Sequence, residues 1–189
     1  MPTIQELFQR ASENIQRSQS TQYLAQVECA TKLLVDAFRA GHRLYVYGNG
    51  GSAADAQHIC AELMGRFLLE RKGLSAIALT ENSALLTAVS NDLGFETIFE
   101  RQIRALGQPG DVAWAISTSG NSPNVVRATS AARELGMHTI GMTGQRGGSL
   151  KSHCDVILAV DSNETPRIQE VHLVTYHAIC QSVESTLFS

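Results

Sequence analysis

Apolar residues recur along this chain at two different spacings, and the change comes after residue 41. Ile4, Leu7, Phe8, Ala11 and Ile15 return every three or four residues, and Tyr23, Leu24, Val27, Leu33, Leu34, Ala37 and Phe38 carry the same rhythm into a second segment. That spacing places one apolar stripe on each of two helices. Ser18 to Thr21 separates them, and Gly41 suits a helix stop. Beyond it, short apolar runs at 43–47, 75–79, 112–117, 138–142 and 155–160 alternate with helical stretches at 53–69, 82–90, 95–106, 124–135 and 168–187. Strands that are apolar throughout and separated by helices predict a parallel sheet covered on both faces. The expectation is a single α/β domain over residues 1–189, a five-stranded parallel sheet in a flavodoxin- or Rossmann-like three-layer sandwich, preceded by two N-terminal helices within residues 1–40. Those helices either cover the core or pack against another subunit, and the second role is preferred.

Composition narrows the possibilities without redirecting them. The 189 residues are 43% hydrophobic and 17% charged, a balance that buries a core and does not suit a disordered chain. A net charge of −3 with no block of Lys or Arg argues against a general nucleic-acid surface, so any anion must be held by a local pocket. Cys29, Cys60, Cys154 and Cys180 are scattered without a C-x-x-C pair, which favours reduced, buried thiols. The N-terminal segment is amphipathic and contains acids rather than the apolar core of a signal peptide. No apolar run reaches the ~20 residues of a membrane span. A cytoplasmic protein is expected.

In open α/β sheets, ligands collect beyond the carboxyl ends of the strands. After the first strand stands Gly48-Asn49-Gly50-Gly51-Ser52, followed by the small residues that open a helix. Glycines admit a ligand close to the backbone, and a helix start offers unpaired N–H groups, so the turn suits phosphate. Gly48-x-Gly50-x-x-Ala53 also satisfies a dinucleotide fingerprint, with Glu81 as its acidic partner, but that reading leaves later features without a role. On the helix itself His58 and Glu62 lie four residues apart and share a face. They are either an ordinary ion pair or part of a reactive site. After the third strand, Ser117-Thr118-Ser119-Gly120-Asn121-Ser122 precedes Pro123 and another helix. One such residue is enough for a helix cap; a run of hydroxyls points to a phosphate cradle.

These paired loops resemble those of the sugar isomerase (SIS) domain, and within it the chain is similar to the phosphoheptose isomerases over nearly its whole length. The resemblance rests on GNGGSAADAQH at 48–58, AVSNDLGFETIF at 88–99, GDVAWAISTSGNSPNV at 110–125, GMTGQRGG at 141–148 and RIQEVHLVTYH at 167–177. It implies an aldose–ketose isomerase acting on sedoheptulose 7-phosphate, at the start of the route to lipopolysaccharide heptose, and a homotetramer packed through the leading helices. The phosphate is then held by Ser52, Ser117, Thr118, Ser119 and Ser122, with Asn49 and Asp92 near the sugar hydroxyls and Gly50, Gly51, Glu62, Asn91 and Gln169 also on the substrate. Glu62 is implied as the base and His177 as its acid–base partner. A zinc ion is implied on His58, Glu62, Gln169 and His177.

One difficulty accompanies that ligand set. Gln169 and His177 lie eight residues apart, about 12 Å along an ideal helix. Either Gln169 sits on an irregular start after Pro166, or the ligands converge through long side chains or across a subunit interface. Periodicity alone pairs Glu170 with His177. His172 is either a neighbour of the site or an ordinary helix histidine, and Trp114 is expected in the core. Asn91-Asp92 can also cap the following helix, Gly147-Gly148 makes a turn, and Arg66 and Arg167 either meet an anionic sugar or pair with surface acids. Pro166 departs from the small or acidic residue of many relatives, which weakens a substrate contact there. A second reading, drawn from noncatalytic SIS proteins that bind the bacterial replication initiator, lacks a use for Glu62 and His177 together.

Overall fold

The structure, a computed structural model, describes residues 2–188. Helix α1 (Ile4–Arg17) opens with a capping box in which Thr3 and Glu6 satisfy each other's backbone N–H groups. Helix α2 (Thr21–Arg39) is capped by Ser20, whose hydroxyl accepts from the Tyr23 N–H at 3.2 Å. Strands β1 (Leu44–Gly48), β2 (Ala76–Ala78), β3 (Val112–Ile116), β4 (His138–Thr143) and β5 (Val156–Ala159) form one parallel sheet in the order β2-β1-β3-β4-β5. β1 and β3 are buried along their whole length, which accounts for their unbroken apolar sequence.

Alternation within the strands divides the core between two layers. Leu44, Val46, Trp114 and Ile116 pack with α2, α3 (Gly51–Met64) and α7 (Thr165–Phe188). Tyr45, Tyr47, Ala113 and Ala115 face α4 (Ser83–Leu93), α5 (Ile98–Leu106) and α6 (Pro123–Glu134). The buried tyrosine hydroxyls find partners: Tyr47 meets Thr129 at 2.9 Å, and Tyr45 donates to the Leu106 carbonyl at 3.0 Å. The three-layer sandwich with two leading helices is as expected, and Trp114 lies in the core.

Several boundaries differ from the sequence reading, and three of them bear on the residues singled out there. α3 ends at Met64 rather than 69, because the chain from Phe67 to Leu69 turns its N–H groups onto the buried Glu184 carboxylate of α7. Arg71 completes this arrangement, pairing with Glu184 at 2.9 Å and donating to the Glu62 and Leu63 carbonyls at the end of α3. α4 runs on to Leu93, so Asn91 and Asp92 fall in its last turn and cap nothing; Asn82 caps its start. α7 begins at Thr165, with Pro166 in the first turn where its missing N–H costs nothing. Gln169 therefore stands in regular helix.

α2 buries Tyr23, Ala30, Leu34, Val35 and Ala37, and the Tyr23 hydroxyl meets Thr175 of α7 at 2.9 Å. α1 is different: Ile4 and Phe8 are about three-quarters exposed, at 73% and 75%. The four cysteines are free, but only Cys60 and Cys180 are fully buried; Cys29 is exposed, against expectation. Among the described residues no helix is long and apolar enough to cross a membrane.

Candidate active site

The strand order 2-1-3-4-5 reverses direction between β1 and β3, and the crevice at such a reversal is where open α/β sheets bind ligands. This is the flavodoxin-like order and not the 3-2-1-4-5-6 of dinucleotide-binding sheets, which leaves the dinucleotide reading without support. The two singled-out loops flank that crevice. After β1 the chain must turn at once into α3. Gly48 has no room for a side chain, since a Cβ there would come within 2.8 Å of both the Ile116 carbonyl and Ser52. Gly50 takes a φ of 55°, and no side chain caps α3. Ser52 is buried in the first turn.

The loop after β3 gathers its hydroxyls rather than spending them on the helix. Ser122 stands at the N-cap of α6 but makes no capping bond; its hydroxyl lies 3.0 Å from that of Ser117, which is 3.5 Å from that of Ser119. The loop is held from two sides. Asn49 and Asn124 exchange amide hydrogen bonds of 2.9 and 2.8 Å, joining the β1 loop to the first turn of α6. On the other side the Gly147-Gly148 turn lies against Gly120, so that a Cβ on Gly148 would stand 2.5 Å from the Gly120 carbonyl. All three of these glycines have positive φ. A cavity of about 410 Å³ opens beside the loop, lined by Thr118, Ser119, Gly144, Arg146 and Thr165 among others. Its size suits a sugar phosphate.

The ionisable residues meet further along α3. His58, Glu62 and His177 are half-buried, and their ligand atoms lie within 4.8 Å of one another. His58 Nε2 is 3.0 Å from Glu62 Oε1, and the His58 and His177 rings meet edge to face at 5.0 Å between centroids. Phe67, brought in by the turn on Glu184, packs against His177 at 5.7 Å between ring centroids. Two further residues adjoin the group: the Tyr176 hydroxyl is 2.8 Å from His58 Nδ1, and Asp55 lies beside that hydroxyl. Burial raises the Asp55 carboxyl above its ordinary range, with His58 and the Tyr176 hydroxyl opposing the shift. Burial likewise raises the Tyr176 hydroxyl.

Gln169 stands apart from this group. Its amide lies against Gly51 at the start of α3, where an added Cβ would overlap it, while His177 lies two turns further along α7. Asn91 and Asp92 are exposed, and the side-chain hydrogen bond recorded for them is to each other at 2.7 Å. His172 is fully buried, its Nε2 3.2 Å from the Thr143 carbonyl, and burial lowers its pKa to about 4; it is a neutral core histidine. Arg167 pairs with Glu170 and donates to the Leu7 carbonyl at 2.8 Å, tying α1 to α7 instead of facing a ligand. Arg66 is exposed.

Known proteins resemble this chain in sequence and in fold. The SIS domain family model matches residues 7–144. A phosphoheptose isomerase of Synechocystis is 48% identical over 97% of this chain and 95% of its own length, and one of Crocosphaera subtropica is 53% identical over 93% and 89%. The chain belongs to the phosphoheptose isomerase family of SIS domain proteins. Among solved structures, the phosphoheptose isomerase of Neisseria gonorrhoeae superposes with a TM-score of 0.91 at 40% identity, covering 97% of this chain and 100% of that one. His177 lies outside the stretch that the SIS model matches, and it is the full-length similarity to phosphoheptose isomerases that includes it.

Sequence reasoning assigned no role to Asn124, Arg71, Glu184, Tyr176 or Asp55. Two had a signal available: Asp55, His58 and Glu62 fall on one face of α3, and Glu184 lies seven residues after His177 on α7. Arg71 and Asn124 had none, because their contacts are set by tertiary packing.

Proposed function

We propose that this chain interconverts sedoheptulose 7-phosphate and D-glycero-D-manno-heptose 7-phosphate, the step that opens ADP-heptose synthesis for lipopolysaccharide. The observation that carries the reading is the meeting of Glu62 with His58 and His177 in a chain of this family. Ser52, Ser117, Thr118, Ser119 and Ser122, with the N–H groups of Gly50 and Gly51, hold the phosphate at the two helix starts. Asn49, Asn91, Asp92 and Gln169 serve the sugar hydroxyls. The phosphate is the handle that positions the chain of carbons for chemistry at its other end.

Isomerisation needs a proton taken from the carbon beside the carbonyl and returned to its neighbour, and a second proton moved between two oxygens. Glu62 performs the first task, through an enediol, and His177 the second. Glu62 meets His58 through Oε1, which leaves Oε2 for the substrate. The donor set also fits a metal: two imidazoles and a carboxylate, clustered and half-buried, match a zinc site that keeps one position open. Within one chain His58, Glu62 and His177 would hold the ion, and Gln169, at the other end of the helix pair, belongs with the sugar. Bound zinc would supply Lewis-acid polarisation of the sugar oxygens.

The exposed apolar face of α1 supports a homotetramer packed through the leading helices, and a sugar phosphate substrate supports a cytoplasmic location. The replication-initiator reading is not favoured, because the matched relatives are named as isomerases and Glu62 and His177 come together. Incubation with sedoheptulose 7-phosphate, followed by NMR of the aldose signal, tests the assignment. Wild-type turnover that Glu62→Gln abolishes supports it; absence of turnover with and without zinc, despite bound sugar phosphate, refutes it.

A further inference from the structure

His58 is engaged at both ring nitrogens. Nε2 faces Glu62 Oε1 at 3.0 Å, and Nδ1 faces the Tyr176 hydroxyl at 2.8 Å. Asp55 lies beside the same hydroxyl, and its Oδ2 is buried without a hydrogen-bond partner among the described residues. The hydrogens in this row can be counted. With Asp55 ionised, a neutral imidazole brings one N–H and the phenol one O–H, while His58's second nitrogen, Glu62 and Asp55 all accept. If Nε2–H donates to Glu62, the phenol hydrogen goes to Nδ1 and Asp55 is left with none. If a cation lies between Nε2 and Oε1, the imidazole hydrogen moves to Nδ1 and donates to the phenol oxygen. The phenol then donates to Asp55, and each acceptor in the row is satisfied. The 3.0 Å separation is close to the ~3.3 Å between two ligand atoms that each lie about 2.0 Å from a tetrahedral zinc.

We propose that Tyr176, backed by Asp55, is a positioning residue that keeps His58 in its Nδ1–H form, with the Nε2 lone pair presented to a divalent cation shared with Glu62 and His177. The inference rests on the metal reading of the site. Tyr176 is suited to the role because it does not move freely: it is fully buried, and its ring meets those of His58 and His177 edge to face at 5.4 and 4.9 Å. The hydroxyl is thus fixed by packing rather than by the ligand it serves. Hydrogen bonds of this kind commonly contribute 10- to 100-fold, on the order of one to two decades, in metal affinity.

Tyr176→Phe tests the proposal, since it keeps the packed ring and removes only the hydroxyl. Zinc affinity is read by competition with a chromophoric chelator. The tautomer of His58 is read by nitrogen NMR of histidine-labelled protein, with His58→Gln to assign the signal. The expected result is His58 carrying its hydrogen on Nδ1 in the zinc-loaded wild type, and zinc binding weakened about ten-fold or more in Tyr176→Phe. Asp55→Asn weakens it in the same direction, and the metal-free melting temperature of Tyr176→Phe stays near that of the wild type. Zinc bound by Tyr176→Phe as tightly as by the wild type, or a zinc-loaded His58 with its hydrogen on Nε2, overturns this proposal and leaves the metal reading standing. A wild-type chain that binds no zinc overturns both.

Discussion

Replacing Glu184 by Leu removes one acceptor from the centre of a buried junction. Its carboxylate takes the N–H groups of Phe67, Leu68 and Leu69 at 3.0, 2.7 and 2.9 Å and the Arg71 Nε at 2.9 Å, and both side chains of the ion pair are 2% exposed. Breaking such a pair from one side leaves a buried guanidinium without its counter-ion, which costs about 3–5 kcal/mol. The three peptide groups add less, because Leu68 and Leu69 are at the surface and water can replace their acceptor. In a chain of this length about 1 kcal/mol shifts the melting temperature by roughly 2–4 °C, so a fall of about 6–20 °C is expected at pH 7. Calorimetry and urea titration measure it. Arg71→Met combined with Glu184→Leu should be more stable than the sum of the single changes predicts, since no lone charge remains buried. Burial alone would raise the Glu184 carboxyl, but the N–H groups of Leu68, Leu69 and Phe67 and the Arg71 guanidinium hold it below the ordinary range. Its contribution is therefore complete above the unfolded value near 4.5 and is lost as pH falls through the lower folded value, so the variant and wild type should converge in acid. A loss under about 1 kcal/mol for Glu184→Leu at pH 7, or strict additivity with Arg71→Met, would refute the reasoning.

Three other outcomes are expected. Gly148→Ala forces a side chain against the Gly120 carbonyl at a φ of 56°; steady-state kinetics should show the KM for the sugar phosphate rising about ten-fold or more, as a strain of ~1–3 kcal/mol in the phosphate loop implies, with kcat changed far less. Asn124→Ala leaves the Asn49 amide without its partner, and isothermal titration should show sugar phosphate bound more weakly by a margin of about 1–3 kcal/mol. His172 is held neutral with a folded pKa of about 4 against 6.5 unfolded, so stability is full above 6.5 and declines as pH falls towards 4, by about 3 kcal/mol in all. Urea midpoints for His172→Phe should follow a flatter pH profile; an unchanged slope sinks the assignment.

The sheet was legible because β1 and β3 are apolar at every position and each is followed by a loop of a different kind, glycine-rich in one case and hydroxyl-rich in the other. Those loops also pointed to the proposed phosphate cradle. The helix ends were less legible. α3 keeps a helical pattern beyond Met64, and what stops it is Glu184, more than 110 residues away in sequence. The role of Ser122 could not be separated from capping until its hydroxyl was found turned to Ser117. Gln169 and His177 looked hard to reconcile on one helix, and the regular α7 from Thr165 onward keeps them two turns apart. Local periodicity thus specified the layers, while the contacts that trim elements and orient His58 came from partners distant in the chain.

That distance has a kinetic consequence. Tyr176 reaches His58 across 118 positions, and Glu184 reaches Phe67 across 117. α3 forms from local contacts, but neither the end of its last turn nor the orientation of His58 is determined until α7 docks. Closing loops of that length before any contact rewards them is slow compared with forming a helix. During synthesis or refolding, the loops after β1 and β3 can therefore assemble first, giving an intermediate that offers the serine loop to phosphate before α7 brings Gln169 and His177 to the site. Refolding followed by binding of inorganic phosphate and by turnover should then show phosphate binding recovering ahead of activity, with the lag set by the docking of the last helix.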